Sequence, residues 1–216
     1  MTDRGKRSYH SPVRDRAAEQ TRDLLRETAR VLFVAHGYAP TTMKQIAAEA
    51  GVAERTLYLA FPTKAALLNE VIGVAIAGTT ATDTSARQPD FRELVEIHGS
   101  KEAVAQFASS TTDLYERAGE LLQLGEHAAG SDPELRAFAE AGAEATVNVL
   151  RDLTKAIADA GQLRRGTNRI AAADAAYALS HFTSHQLLRK RREWSKARYR
   201  KWLIDTLTRA LLENAE

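Results

Sequence analysis

Between Gln45 and Leu57 the chain carries residue types that can read a nucleic-acid surface, at a spacing that turns them outward. Ala47 is small where two helices must cross closely, and Gly51, four residues on, can supply the positive φ of a tight turn. Val52 and Leu57 then anchor a second helix on the first, which leaves Glu54, Arg55, Thr56 and Tyr58 on or near its outer face. Arginine pairs with guanine edges in a major groove, and threonine and tyrosine meet phosphates or thymine methyls. The Ala-x-x-x-Gly spacing alone is common to any tight helical hairpin.

Other constellations compete with this one. His181 and His185 lie four apart, at metal-ligand spacing on one predicted helix face, but zinc needs a third ligand and no His-Glu-x-x-His pattern is present. Their neighbours Ala173, Ala176, Ser180 and Ser184 are small, which suits a closely packed helix and makes pocket or interface histidines of the pair. The run from Arg189 to Trp202 is the densest charge in the chain. It reads as a solvated connection, with Trp202, Leu203, Thr206, Leu207 and Ala210 turned inward; the sharper alternative is contact with DNA flanks or lipid headgroups. Glu116, Glu120, Gln123 and His127 share what reads as a solvated face, while Glu126 lies nearer the apolar border, as a buried acid facing a cationic ligand would. No Gly-x-Ser-x-Gly, phosphate loop or Gly-x-Gly-x-x-Gly occurs, so nothing signals catalysis and no cofactor is implied.

The elements that must position these residues are all helical. After a polar arm over residues 1–13, alanine is abundant, strict alternation is absent and turn signals separate segments of helical length. The pattern predicts about nine helices. The first spans about 14–36 and stops at Gly37; the next two cover about 42–50 and 53–60, and Pro62 ends the latter. Thr42 and Gln45 have the form of a capping box, and Thr63 caps a fourth helix. Beyond a polar loop at 79–90, helices are expected at about 91–108, 111–129, from Pro133 to Gly161, 169–189 and 195–212. The all-α reading divides into the arm, a helix-turn-helix head over 14–62 and a larger helical domain over 63–216.

Composition agrees with a globular protein. The 216 residues include 30 Lys and Arg, 28 Asp and Glu and no cysteine, which excludes a disulfide framework, a thiolate metal site and a thiol nucleophile. Residues 1–61 carry ten basic and seven acidic groups, 62–186 eleven and seventeen, and 187–216 nine and four. Basic ends thus flank an acidic middle, and a basic segment suits either an anionic partner or solvent. No apolar run is long enough to span a bilayer and no secretory signal opens the chain, so a cytoplasmic protein without membrane partners is expected.

The runs Thr41-Thr42-Met43-Lys44-Gln45-Ile46-Ala47, Ala50-Gly51-Val52-Ala53, Thr56-Leu57-Tyr58 and Phe61-Pro62-Thr63-Lys64-Ala65-Ala66-Leu67 resemble the DNA-binding region of the tetracycline-repressor (TetR) family. The resemblance is specific over about residues 14–72. It implies a ligand-responsive transcriptional regulator: a homodimer, paired through its last two helices (about 169–189 and 195–212), that binds a palindromic double-stranded DNA operator and is released by a small-molecule effector. Thr42, Arg55, Thr56, Tyr58 and Lys64 match positions that commonly touch DNA in that family, and Lys44, Gln45 and Glu54 complete the candidate set. Lys64, beside free N–H groups at a helix start, would make a phosphate site, while Arg4, Lys6 and Arg7 of the arm read as a solvated tail, the alternative being added affinity through a minor groove. Ala60 stands where His or Tyr is usual, Ala53 where Ser is usual, and Gln45 where an acid is common; Gln45 either reaches DNA or closes the capping box. The effector pocket, for which there is no motif to match, is assigned to Ile72, Phe107, Tyr115, Glu126, Phe138, Val147, Tyr177 and His181. Two readings of other classes stand beside this one: a metal-dependent helical-bundle enzyme using His181 and His185, and a basic protein that coats DNA or membranes without sequence preference.

Overall fold

A computed structural model describes residues 12–78 and 90–213, with side chains from residue 15 onward. The basic arm therefore lies outside the described residues, except that Pro12 and Val13 open the first helix. The elements are α1 (Pro12–His36), α2 (Met43–Glu49), α3 (Glu54–Ala60), α4 (Lys64–Ala77), α5 (Phe91–His98), α6 (Ser100–Ala129), α7 (Pro133–Asp159), α8 (Arg169–Ser180), α9 (Phe182–Gln186), a π turn (Leu187–Arg191) and α10 (Lys196–Leu211). Since α8 and α9 are one helix broken at a single residue, these segments make up the nine expected helices, and no strand occurs among the described residues.

Two boundaries differ from the sequence reading. The expected break near residue 109 does not occur; it comes at Gly99, whose φ of +84° only glycine adopts cheaply. Ser109-Ser110-Thr111-Thr112 stays helical because the buried Thr112 hydroxyl donates to the Ala108 carbonyl one turn back, so its polarity is met inside the helix. The second difference is the break at His181, an extended residue (φ −63°, ψ 145°) whose ring nitrogen accepts the Thr183 N–H and so caps α9. His181 and His185 thus do not share one helix.

The chain forms two compact units, which divide between Val71 and Ile72, inside α4. In the first, Leu25, Ala29 and Phe33 of α1 are fully buried with Ile46, Ala47, Leu57, Leu67 and Leu68. In the second, α5, α6, α7, α8 and α10 share one apolar core around Val104, Leu150, Leu153, Ala172, Tyr199, Leu203 and Leu207.

The basic run is largely neutralised within this unit. Arg189 of the π turn donates to both carboxylate oxygens of Glu116 at 2.5 and 2.9 Å, Lys190 meets Glu120 at 2.5 Å, and Asp113 takes Lys196 and Arg200 at 2.8 and 2.6 Å. The α6 face expected to be solvated is therefore the dock for these cations. The Arg189 hydrogen bonds, followed by that of His185, hold the Glu116 carboxyl at about 2 against an ordinary 4.5. Burial lowers His185, so it is neutral at physiological pH.

Both shifts give the same sign. The unfolded chain binds the Glu116 proton below pH 4.5 and the folded chain only near 2, so this contribution is complete above pH 4.5 and is lost as pH falls toward 2. His185 likewise costs stability once pH drops below 6.5, where the unfolded imidazole charges first. Chemical denaturation across that range should show stability falling with pH, and Glu116→Gln should flatten the acidic limb while lowering stability at neutral pH.

Candidate nucleic-acid interface

The head is built around a turn that only one backbone conformation closes. Thr42 caps α2 through a complete capping box: its hydroxyl accepts the Gln45 N–H at 3.2 Å, and the Gln45 side chain accepts the Thr42 N–H at 2.8 Å. At the far end Gly51 has φ +66°, and the Val52 N–H returns to the Ala47 carbonyl at 3.0 Å. Open space surrounds the position where a Gly51 Cβ would stand, so glycine is needed for its φ and not for clearance. Ala47 is buried at the crossing, as its size requires.

The third helix has seven residues, and Leu57 alone among them is buried. Its N-cap, Ala53, offers no side-chain bond. Other elements hold it instead. Arg22 of α1 donates to the Ala60 carbonyl at 2.7 Å, closing the C-terminal end of α3, and its guanidinium lies 4.4 Å over the ring of buried Phe61. Arg26, one turn along and only 5% exposed, donates to Glu70 of α4 at 2.8 Å, to Glu19 at 2.7 Å and to Asp23. Burial would lower its pKa, but the three carboxylates outweigh that and hold the charge more firmly.

Lys64 departs from the phosphate-binding expectation. Its ammonium donates to the carbonyls of Tyr38 and Thr41 at 2.8 and 2.9 Å and sits 4.1 Å over the Tyr38 ring. Thr41, buried, in turn donates to the Gly37 carbonyl at 2.7 Å. The lysine is turned inward, fixing the α1–α2 connection. Gln45 closes its cap rather than reaching outward.

Thr42, Lys44, Glu54, Arg55, Thr56 and Tyr58 are all exposed, on α2's start and α3's outer side. Leu59, which the sequence reading passed over, is 79% exposed and follows Arg55 by four residues, so the two share a face. Leu59 adds apolar surface to the exposed side of α3. Its signal was available only as one leucine too many for the seven residues' single inward position.

The assigned pocket residues fare unevenly. Tyr115, Tyr177 and His181 do come together: the Tyr177 and His181 rings are 5.5 Å apart, Phe182 lies 4.3 Å from His181, and Tyr115 lies 6.4 Å from Phe182. Phe107 packs instead on Phe91 in the core. Ile72 is buried, Phe138 and Val147 are half-buried, and Glu126 is exposed, so it is not the buried acid expected. Burial lowers the His181 pKa, with Glu126 opposing. The metal reading fails on geometry: His185 Nε2 is 2.9 Å from Glu116, and no group of three His, Asp or Glu among the described residues is placed to hold an ion. No single described helix is long and apolar enough to cross a membrane; only α3 and α4 taken together pass, bent by 62°.

Residues 25–71 match the sequence model of bacterial regulatory proteins, tetR family. No curated protein matches the chain significantly. Among solved structures, NalD of Pseudomonas aeruginosa, the secondary repressor of the MexAB-OprM multidrug efflux pump, aligns with TM-score 0.69 at 22% identity, over 93% of this chain and 100% of its own. A transcriptional regulator from Saccharomonospora viridis in complex with choline aligns with TM-score 0.69 at 19% identity, over 91% and 100%. A TetR-family regulator from Mesorhizobium loti aligns with TM-score 0.66 at 20% identity, over 91% and 98%. At these identities the likeness is one of fold.

Lys64→Met should lower the stability of the purified protein by about 1–2 kcal/mol in urea titration, the worth of hydrogen bonds from a charged donor. DNA affinity should keep its salt dependence, whereas loss of a phosphate contact would reduce the log–log slope by about 0.9. Arg26→Ala should cost about 2 kcal/mol in the same titration, since part-buried Glu70 keeps only the longer 3.3 Å bond from Arg22.

Proposed function

We propose that this protein, whose residues 25–71 match the sequence model of bacterial regulatory proteins, tetR family, is a dimeric, ligand-responsive transcriptional repressor. It reads double-stranded DNA with α3 and answers a small-molecule effector through its second unit. The observation that carries the reading is the exposure of α3: it buries one side chain, is braced from outside by Arg22, and turns Glu54, Arg55, Thr56, Tyr58 and Leu59 to solvent. A helix so held and so little buried serves what it presents.

Contacts sort by chemistry. Arg55 suits a guanine edge, Thr56 and Tyr58 suit phosphates or thymine methyls, and Thr42 and Lys44 lie where a backbone would pass. The protein acts by binding rather than catalysis, in the cytoplasm. NalD, of the same fold, is a repressor, and the Saccharomonospora viridis regulator holds choline, which supports reading the second unit as the effector domain.

Dimerisation through α8–α10 is supported by the exposed side of α8. Ile170, 68% exposed, leads a row of Ala171, Asp174, Ala175 and Ala178, all turned to solvent, and Leu187 beyond it is 43% exposed. Small residues in a row allow two helices to approach closely, and a patch of this kind marks a protein interface.

Selection of duplexes from a random pool at near-physiological salt should enrich a palindrome whose half-sites lie about one helical turn apart, or a multiple of it. Arg55→Ala should weaken binding by about 1–3 kcal/mol and relax specificity at one base position. Ala175→Arg should convert dimer to monomer in sedimentation and weaken operator binding with it; a monomeric wild type, or no enriched palindrome, would refute the proposal.

A further inference from the structure

The second unit holds a group of buried polar atoms that its own residues leave incomplete. His185, Gln186 and Tyr199 are 1%, 7% and 0% exposed, and His185 Nδ1, Gln186 Nε2 and the Tyr199 hydroxyl have no hydrogen-bond partner among the described residues. Leaving such an atom unpaired in a folded protein is costly. Two of them converge on one spot. A Cβ built on Gly119 of α6 would stand 2.4 Å from Gln186 Nε2 and 3.6 Å from His185 Nδ1, so both atoms meet over bare helix backbone, whose carbonyls are already bonded within α6.

The donor and acceptor roles follow from the neighbours. Arg189 keeps Glu116 ionised, so that carboxylate can only accept. His185 is neutral through burial and therefore carries its single proton on Nε2, donated to Glu116 at 2.9 Å. Its Nδ1 is left as a bare acceptor. Gln186 Nε2 beside it is a donor with nothing to donate to. A hydroxyl is the smallest group that serves both from one atom, donating to Nδ1 and accepting from the amide.

The surroundings define the rest of the molecule. The Tyr115 ring lies 5.8 Å from the His185 ring, Tyr199 lies 4.8 Å from it edge-on, and Phe182 lies 6.4 Å from Tyr115. Half-buried Tyr177 and His181 continue these walls toward solvent. Aromatic rings around neutral polar atoms favour an uncharged, ring-bearing ligand, because the ionised group beside them, Glu116, is already paired with Arg189. The π turn begins at the next residue, Leu187, and such turns are rare and concentrated at functional sites.

We propose that His185, Gln186 and Gly119 form the polar end of a site for a neutral phenol, whose hydroxyl bridges the imidazole and the amide while its ring packs on Tyr115 and Phe182. This names the effector class for the regulator read above and rests on that reading only for the consequence of binding.

The test uses the purified full chain and a series of 4-alkylphenols with their matched methyl ethers. Calorimetry should show the best phenol binding at least tenfold tighter than its ether, which cannot donate. Nitrogen-15 spectra of the imidazoles should show the His185 Nδ1 resonance, that of an unprotonated nitrogen in the free protein, shifting on addition of phenol. Gln186→Met should weaken phenol and ether alike, since either oxygen accepts from the amide, and leave the phenol's tenfold advantage over its ether in place, while Gly119→Ala should block both by displacing the amide. Operator binding without ligand, which Gln186→Met should retain, reports separately on the regulator reading and on folding of the variant. Equal binding of phenol and ether, an unmoved Nδ1 resonance, or a crystal structure with only an ordered water between the two groups in saturating phenol would overturn the proposal, whether or not the protein binds an operator.

Discussion

A seven-residue helix with one buried side chain does not hold itself together in water. Everything in the first unit depends on supplying from outside what α3 lacks. Leu57 fixes its depth, Gly51 fixes the angle at which it leaves α2, and Arg22 satisfies the carbonyl at its end. Arg26 and Lys64 extend the bracing to α4 and to the α1–α2 connection. Three cations are thus used on the protein's own carbonyls and carboxylates. The charge left exposed on α3 is correspondingly modest, with Glu54 beside Arg55.

The second unit resolves its electrostatics internally as well. The acidic middle of the chain and its basic end are parts of one contact, in which Asp113, Glu116 and Glu120 along one side of α6 receive Lys190, Lys196, Arg189 and Arg200. Exposed surface pairs of this kind contribute little singly, but Arg189 and Glu116 are bidentate and partly sheltered, and they set the tautomer of His185. Charge in one place therefore decides hydrogen-bonding capacity in another. Arg191, Arg192 and Arg198 remain exposed, Arg198 lying over the Trp194 ring.

Helix breaks carry as much of the organisation as the helices do. Gly99 breaks the chain by backbone conformation, and His181 breaks it with a side chain that caps the next segment. The π turn after Gln186 brings Arg189 within reach of Glu116 while His185 and Gln186 face α6. Continuous helix from 169 to 189, as the hydrophobic pattern suggests, would have put His181 and His185 on one face. The break gives them separate tasks instead.

The sequence by itself determined the all-α class, most helix limits, the capping box at Thr42 and Gln45, the turn at Gly51 and the outward set on α3. These are local properties: hydrophobic period, caps and positive-φ positions are written within a few residues of where they act. Only the tertiary structure decided what Lys64, Arg22 and Arg26 touch, because their partners Tyr38, Ala60 and Glu70 lie between 26 and 44 residues away in the chain. The same holds for Glu116, which looks like any solvated acid until Arg189, 73 residues on, closes over it. A charged side chain has the same appearance in sequence whether it faces water, DNA or its own backbone. Which of these it meets is settled by packing, since the cost of burying a charge is met only where the fold brings a partner to it.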